Sequence, residues 1–228
     1  FYEQLPFVVL GTQDASGQPW ATILAGSKGF IQSPTDRTLK IATHLPAADP
    51  ALSALSNGAP VGGLGIELDT RRRNRFTAHV EAHAKEYVHL AIDQSFGNCP
   101  QYIQTRALIE TRDPDAPLVE SPVRVTSLDG DLRTLVERAD TFFVASSTRS
   151  HTPHAASSGV DVSHRGGAAG FVKVENSRTL IIPDYAGNNF FNTLGNLLEN
   201  PKAGLLFPDF ETGSLAHLAG SVEIIRSG

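Results

Sequence analysis

The stretch Thr38–Ala42, which reads T-L-K-I-A, recurs about 141 to 142 residues later as T-L-I-I-P from Thr179. Each copy is followed by a leucine-containing segment, a short loop with Asn and Pro, and a glycine-containing apolar run. That run reads V-G-G-L-G-I from Val61 and A-G-L-L-F from Ala203. A repeat of this length predicts two related modules in one chain, because solenoid repeats have periods of about 20 to 50 residues. Two such modules form a pseudo-twofold pair, and the groove between them is a candidate ligand site.

Composition limits the class of protein. The chain has 228 residues, of which 40% are hydrophobic and 19% charged, as expected for a globular protein. A net charge of −5 and a pI near 5.9 argue against nucleic acid or an anionic membrane as the partner. The single Cys99 excludes an internal disulfide and, together with the lack of a long apolar stretch, predicts a cytoplasmic protein. Because the sequence contains no Met and opens on Phe1, we expect it to be a fragment.

The hydrophobic pattern predicts many short strands with few helices. Predicted strands cover residues 6–13, 20–25, 38–43, 60–68, 75–82, 88–93, 141–147, 170–174, 179–183, 202–209 and 215–225. Predicted helices cover residues 50–56, 100–110, 132–139 and 188–199. This order predicts a mainly β protein with a small closed barrel and short helices in each half. We expect an N-terminal module at 1–112, a linker at 113–131 that contains several prolines, and a C-terminal module at 132–228.

Two segments of the second half are unusually polar for their positions. In the first, D-V-S-H-R-G-G from Asp161, strand alternation places Asp161, Ser163 and Arg165 on one face. Gly166 and Gly167 then allow a backbone or a ligand to approach closely. The second segment, residues 183–192, leaves a strand and opens a helix through Gly and two Asn.

The start of that predicted helix is a candidate phosphate site. Helix N-termini present free N–H groups and a positive dipole end, and Arg165 is a natural charged partner for a phosphate. In the alternative interpretation, Asn188 or Asn189 only caps the helix, and His164 and Arg165 lie on a solvated strand edge. His151, His154 and His164 do not form a defined metal-ligand set, so no metal site is predicted.

Longer motifs carry a resemblance to a known family. They are D-V-S-H-R-G-G, I-P-D-Y-A-G-N-N-F-F-N-T-L-G-N-L-L-E-N-P and A-G-L-L-F-P-D-F-E-T-G in the second half. The first half adds L-P-F-V-V-L-G-T, T-R-R-R-N-R and D-Q-S-F-G-N-C-P-Q-Y-I-Q. The chain resembles predicted flavin-nucleotide-binding proteins related to pyridoxamine 5'-phosphate oxidase. The resemblance implies tandem split β-barrels of the FMN-binding type, with FMN at a barrel–barrel interface.

Carried over residue by residue, the resemblance implies two sides of an FMN site. Ser163, His164, Arg165 and Gly166 would lie along the flavin and its phosphate on one side. Asp184, Tyr185, Asn188 and Asn189 would line the other side.

The first half lacks both the Gly-Asn-Asn turn and the counterpart of Arg165. We therefore expect the internal duplication to act as a dimer with one working site. The run of arginines at 71–75 either supplies cations to the shared groove or forms a solvated strand edge.

These features lead to a functional hypothesis with named alternatives. The leading one is an FMN-dependent oxidoreductase or a flavin-reductase-like protein, in which the flavin carries the electron chemistry. No residue is identified as catalytic, and Arg165 and His164 are the candidates for stabilising a reduced anionic flavin. The alternatives are a non-catalytic flavin-nucleotide binder and a haem-binding split barrel with His151, His154 or His164 as axial ligand. A nicotinamide is the expected electron donor; a homodimer and membership of a longer redox chain both stay open.

Overall fold

The computed structural model describes residues 1–97, 99–108, 113, 122–149, 158–187 and 191–225. The first module contains β1 (Phe7–Gln13), β2 (Pro19–Ala25), β3 (Ile31–Thr35), β4 (Thr38–Ala42), β5 (Pro60–Glu67), β6 (Arg72–Ala84) and β7 (Tyr87–Gly97). The second contains α1 (Gly130–Arg138), β8 (Thr141–Ser147), β9 (Val160–Gly166), β10 (Lys173–Asn176), β11 (Thr179–Ile181), α2 (Asn192–Glu199), β12 (Lys202–Pro208) and β13 (Leu215–Ser221). Short 3₁₀ helices cover Tyr2–Gln4 and Leu52–Ala54. The predicted mainly β, split-barrel fold class is confirmed.

All strand pairs among the described residues are antiparallel. The first module forms one sheet in the order β2-β1-β5-β6-β7-β4-β3. The second forms a four-stranded sheet, β13-β12-β8-β9, and a separate pair, β10-β11. The strands are rich in β-branched and aromatic residues, and β1 and β8 are buried along nearly their whole length. Strands covered on both faces are expected where two modules pack on each other.

The hairpin between β1 and β2 shows how local chemistry sets a turn. Asp14 accepts hydrogen bonds from the backbone N–H groups of Ser16, at 2.9 Å, and Gln18, at 3.1 Å. The indole of Trp20 donates to the other carboxylate oxygen at 2.9 Å. Gly17 has φ +75°, a conformation that favours glycine. The predicted hairpin at this position is therefore confirmed.

Three clusters of buried apolar residues form the core. One lies within each module, and the third joins them by packing Val9 and Leu64 of the first against Phe143 and Leu206 of the second. The modules thus share a continuous apolar interface.

Two glycines at equivalent repeat positions make close approaches to backbone across this interface. A Cβ on Gly62 of β5 would lie 2.7 Å from the carbonyl oxygen of Val160, the first residue of β9. A Cβ on Gly204 of β12 would lie 2.2 Å from the carbonyl oxygen of Pro19, the first residue of β2. Gly62 and Gly204 are 142 residues apart, as the repeat requires. The interface is therefore pseudo-twofold symmetric, with glycine at both ends because a side chain would collide with backbone.

Several predicted elements need correction. The helix predicted for 100–110 is wrong over the described residues 100–108, which form a turn and an extended segment. Tyr102 has φ +66°, which a helix does not allow. The backbone N–H of Arg106 donates to the carbonyl of Leu68 at 3.2 Å, and its guanidinium binds both carboxylate oxygens of Asp140 at 2.6 Å. These tertiary contacts keep residues 100–108 in a turn and an extended conformation instead of a helix.

The arginine run does not separate two strands as predicted. Only Arg71, with φ +60°, lies in the turn, and β6 begins at Arg72. The helix predicted for 188–199 begins at Asn192 as α2, preceded by Phe191 at φ +51°, and residues 188–190 lie outside the described part of the chain. Strand β3 was not predicted. The proposed domain boundaries stay a prediction, since most of the linker lies outside the described residues.

Candidate functional site

A cavity of about 190 Å³ lies where the two modules meet. The second module contributes β9, the loop after β11 and the first turn of α2, and the first module contributes β6 and the segment around Tyr102. The cavity is therefore the shared groove that the repeat predicted.

The face of β9 that looks into the cavity carries the predicted polar alternation. The hydroxyl of Ser163 donates to Asp161 at 3.2 Å, and the hydroxyl of Thr193 in α2 donates to Ser163 at 3.0 Å. Arg75 of β6 forms an ion pair with Asp161 across the module interface. Arg75 is 4% exposed and Asp161 is 8% exposed, so both charges are buried. This network ties both modules and α2 to the same strand.

Arginines from both modules line the cavity. Burial, the charge of neighbouring Arg73 and that of Arg165 lower the pKa of Arg75 to about 10. Burial also lowers the pKa of Arg73 to about 10, and the Nε of Arg73 has no hydrogen-bond partner in the part of the chain that the structure describes. Three arginines therefore face two carboxylates, Asp161 and Asp184, which leaves an excess of positive charge. Such a site attracts an anion.

Arg165 is held at the cavity mouth by a carboxylate of the same module. Its guanidinium donates to Asp184 at 2.6 Å, and the side chains are 27% and 50% exposed. Asp184 belongs to the segment 183–187, here called the strap, which connects β11 towards α2. The carboxylate of Asp184 therefore pairs with the guanidinium of Arg165, the group that an anionic ligand would bind.

Aromatic rings fix the strap over the cavity. The ring of Tyr185 lies between Tyr102, at a centroid distance of 5.3 Å, and Phe171, at 6.3 Å. The hydroxyl of Tyr102 donates to the carbonyl of Ala186 at 2.9 Å. Tyr102 belongs to the first module, so the strap also spans the module interface.

His164 borders the cavity, but strand alternation turns its side chain away from that of Ser163, and it is only 7% exposed. Its ring lies edge-on to Phe143 with centroids 5.9 Å apart, and its Nε2 has no hydrogen-bond partner among the described residues. Burial, followed by the charges of Arg73, Arg106 and Arg165, lowers its pKa to about 3. The imidazole is therefore neutral at physiological pH. His164 is therefore not on a solvated strand edge, and its role in stabilising a reduced flavin stays a prediction.

Gly166 is required by packing. A Cβ there would lie 2.2 Å from the backbone oxygen of Tyr102, and a Cβ on Gly167 would lie 2.7 Å from the ring of Phe171. The close approach predicted for these glycines is made by the protein itself.

The counterpart of this site in the first module is filled by the chain. Thr22 stands at the position equivalent to Ser163, and its hydroxyl donates to the carboxylate of Asp49. The same carboxylate accepts the backbone N–H groups of Ala51, at 2.8 Å, and Leu52, at 3.2 Å. His217 of the second module lies 3.8 Å from it. In the first module, the carboxylate of Asp49 thus accepts the hydrogen bonds that an anionic ligand would otherwise accept at this position.

The structure brings together the described residues of the predicted site. Ser163, His164, Arg165, Gly166, Asp184 and Tyr185 line the cavity, whereas Asn188 and Asn189 lie outside the described residues. Sequence reasoning suggested Arg73 and Arg75 only as part of the arginine run.

Tyr102, Phe171 and Thr193 were missed. Thr193 lies in the predicted helix 188–199, and Tyr102 lies in the quoted motif D-Q-S-F-G-N-C-P-Q-Y-I-Q, so the sequence gave a signal for both positions. Phe171 gave none.

Two searches of the described residues gave negative results. No helix in that part of the chain has the length and apolar character needed to cross a membrane. No cluster of three or more His, Cys, Asp and Glu side chains in the described ranges could hold a metal ion. His151 and His154 are not among the residues described.

The fold is a mainly β, split-barrel arrangement of two modules with a cation-rich cavity between them. Residues 128–228 match the family model of pyridoxamine 5'-phosphate oxidase, so the C-terminal part of the chain is similar to that family. No curated protein matches the sequence.

Two crystal structures of HupZ from Group A Streptococcus are similar to part of the chain. A histidine-to-alanine variant is 16% identical, with a TM-score of 0.33, over 42% of this chain and 92% of HupZ. The other HupZ chain is 12% identical, with a TM-score of 0.32, over 40% of this chain and 84% of HupZ.

Proposed function

We propose that the chain binds FMN in the cavity between its modules and acts as an FMN-dependent oxidoreductase of the flavin-reductase type. The observation that carries the proposal is the excess of positive charge in the cavity beside aromatic rings. An anionic phosphate and a flat aromatic ring system are the two parts of FMN that such a site would recognise.

The phosphate end would lie against Arg165 and the first turn of α2. The N–H groups of a helix's first turn and the positive end of its dipole favour an anion. Arg73 adds a cation whose Nε has no partner, and Thr193 adds a hydroxyl close by. These groups fit a phosphate monoester.

The aromatic end would lie against Tyr102, Phe171 and Tyr185. The cavity of about 190 Å³ is smaller than typical small-molecule sites, which enclose about 300–1,000 Å³. FMN therefore requires the strap to move outwards, which breaks the Arg165–Asp184 pair and the Tyr102–Ala186 hydrogen bond.

Bound flavin would supply hydride and electron transfer, and the protein would supply anchoring and electrostatics. Arg165 and Arg73 would stabilise negative charge on the ligand. The neutral His164 would pack and exclude water. No described residue is assigned as a general acid or base. A nicotinamide donor, a cytoplasmic location and a homodimeric or multi-domain assembly are part of this proposal.

The deciding experiment is spectroscopy of the purified chain after incubation with FMN and desalting. Retained flavin shows broad near-UV and blue bands, and bleaching by NAD(P)H separates an enzyme from a carrier. A colourless protein after desalting would refute the proposal. Stable flavin bands without any turnover would leave the non-catalytic binder as the function.

Arg165→Ala tests the phosphate contact. A hydrogen bond to a charged group contributes about 1.5–3 kcal/mol, so the Kd of FMN should rise roughly 10- to 100-fold. Riboflavin, which lacks the phosphate, should weaken by less than about threefold. Arg178→Ala is the matched control because Arg178 is exposed in the β10–β11 turn and does not line the cavity. Equal weakening of FMN and riboflavin would contradict the assignment.

Asp184→Asn tests whether the strap competes with the phosphate. The Arg165–Asp184 pair is partly exposed and contributes at most about 1 kcal/mol. Removing the competing charge should therefore tighten FMN by up to about fivefold and leave riboflavin nearly unchanged. Titrations of both ligands by flavin fluorescence measure this. If both ligands bind more weakly, Asp184 contacts the flavin itself.

Haem binding is the second candidate because of one observation. The Nε2 of buried His164 has no partner, and a neutral imidazole nitrogen is the form that binds iron. An intense Soret band after haem addition, lost in His164→Ala, would support this function in place of flavin binding. A Soret band that survives the substitution would exclude His164 as the ligand.

A further inference from the structure

The polar side chains of the cavity differ in whether the protein itself supplies their hydrogen-bond partners. Those of the second module are paired with one another. Arg165 donates to Asp184 at 2.6 Å, and the hydroxyl of Thr193 donates to Ser163 at 3.0 Å. Ser163 in turn donates to Asp161 at 3.2 Å. The second module therefore satisfies these groups without a ligand.

The first module contributes two arginines whose hydrogen bonds are incomplete. Arg73 and Arg75 are two residues apart on β6, so they lie on the same face of the strand, and both line the cavity. The Nε atoms of both are buried and have no hydrogen-bond partner among the described residues. A guanidinium Nε–H donates and never accepts, so an acceptor is missing beside each arginine.

A carboxylate balances only one of these two charges. Arg75 pairs with Asp161, whereas Arg73 forms no ion pair within the described part of the chain. Burial lowers the pKa of Arg73 to about 10, Cys99 opposes this effect, and the charge of Arg165 adds to it. Buried charges in proteins are normally paired. Arg73 therefore leaves a place for one negative charge from a ligand.

The position of these two Nε–H groups is deeper than that of Arg165. The side chain of Arg75 is 5% exposed and that of Arg165 is 27% exposed. A single water requires about 10–15 Å³ of cavity volume. The cavity of about 190 Å³ therefore has room for a ligand of the size of acetate while the strap stays in place.

We propose that Arg73 and Arg75 form a separate anion site, here called the inner subsite, which takes a carboxylate while the phosphate of FMN lies against Arg165. Two Nε–H donors on one strand face match the two oxygens of a carboxylate, and its single charge matches the unpaired charge of Arg73. The inner subsite itself requires no flavin. Its use rests on the proposed function: the substrate of the flavin chemistry then carries a carboxylate.

The experiment titrates sodium acetate into the chain without FMN, at constant ionic strength. Two-dimensional NMR follows the arginine Nε–H signals, which report the two donors directly. The signals of Arg73 and Arg75 should shift along one saturable curve, and that of exposed Arg178 should not saturate. No saturable shift at Arg73 and Arg75, or saturation at Arg165 instead, overturns the proposal.

Arg73→Gln removes the unpaired charge and leaves the Arg75–Asp161 pair intact. The Kd of acetate, read from the Arg75 signal, should rise about tenfold or more, because a hydrogen bond to a charged group is lost. The matched control is Arg72→Gln, since Arg72 is the neighbouring residue of β6, has a 63% exposed side chain and does not line the cavity. It should change the Kd by less than about twofold.

Equal Kd values for the unmodified chain and Arg73→Gln overturn the proposal. Should Arg73→Gln fail to fold, the titration of the unmodified chain decides alone, because its Nε–H signals show whether acetate binds at these two arginines.

The same titration of the FMN-loaded chain tests whether the inner subsite is separate. The Kd of acetate should change by less than about threefold. If FMN abolishes acetate binding, Arg73 and Arg75 contact the flavin nucleotide itself and a separate subsite is refuted. Saturable acetate binding to a chain that retains no FMN supports the inner subsite even though the proposed function then fails.

Discussion

The buried ion pair between Arg75 and Asp161 allows a sharp test of how the modules are joined. Asp161→Asn removes the negative charge and leaves Arg75, which is 4% exposed, without its carboxylate. Breaking a buried pair by removing one partner costs about 3–5 kcal/mol, because the remaining charge stays desolvated. Asp161 also accepts the hydroxyl of Ser163 at 3.2 Å, which Asn can still do. The free energy of unfolding should therefore fall by about 3–5 kcal/mol.

Urea denaturation followed by circular dichroism measures this change. Combining Asp161→Leu with Arg75→Met removes both charges and should recover most of the loss, since well-packed apolar residues often replace a buried pair at little cost. Glu137→Gln is the control: it breaks the exposed i,i+4 pair with Arg133 and should cost about 0.5 kcal/mol or less. A loss below about 1 kcal/mol for Asp161→Asn, or a double variant no more stable than Asp161→Asn, would refute the reasoning.

Two further perturbations test the interface and the buried histidine. Gly204→Ala should lower the free energy of unfolding by about 1–3 kcal/mol, because its Cβ would meet the backbone oxygen of Pro19 at 2.2 Å. The control is Gly220→Ala, whose Cβ would have no atom within 4 Å and should change stability by less than about 0.5 kcal/mol. Equal urea midpoints for the two variants would contradict the close approach. Burial lowers the pKa of His164 to about 3, so below about pH 6.5 the unfolded state binds more protons than the folded state. Up to about 4–5 kcal/mol of stability that is present above pH 6.5 is therefore lost as the pH falls towards 3. Thermal unfolding of His164→Leu between about pH 4 and 7 should lack this loss, with exposed His44→Leu as control, and parallel curves for the unmodified chain and His164→Leu would count against it.

Local sequence patterns were sufficient to predict which residues of β9 and the strap lie at the cavity. Alternation along β9 correctly placed Asp161, Ser163 and Arg165 on one face, because a strand repeats every two residues. The repeat predicted a groove between the two halves of the chain, and the cavity is lined by residues of both halves.

The predictions that failed concern residues whose conformation or charge depends on contacts with residues distant in sequence. The segment from Pro100 looked helical by its first-turn proline, yet Arg106 is held by Leu68 and Asp140. The charge state of His164 could not be read from its neighbours in sequence, because Arg73 and Arg106 approach it through the fold. Such effects come from tertiary burial, which a local pattern does not encode.

The paired glycine contacts at Gly62 and Gly204 limit how this protein can move. Backbone meets backbone at both ends of the interface, so a rotation that opened one end would press the other together. A hinge between the modules is therefore a poor route for admitting a ligand. Access falls instead to the five-residue strap, 183–187, held by one partly exposed ion pair, aromatic packing and one hydrogen bond. Under the proposed function, the rate of FMN entry would depend on the strap, so substitutions in residues 183–187 would change that rate while the barrels stay fixed.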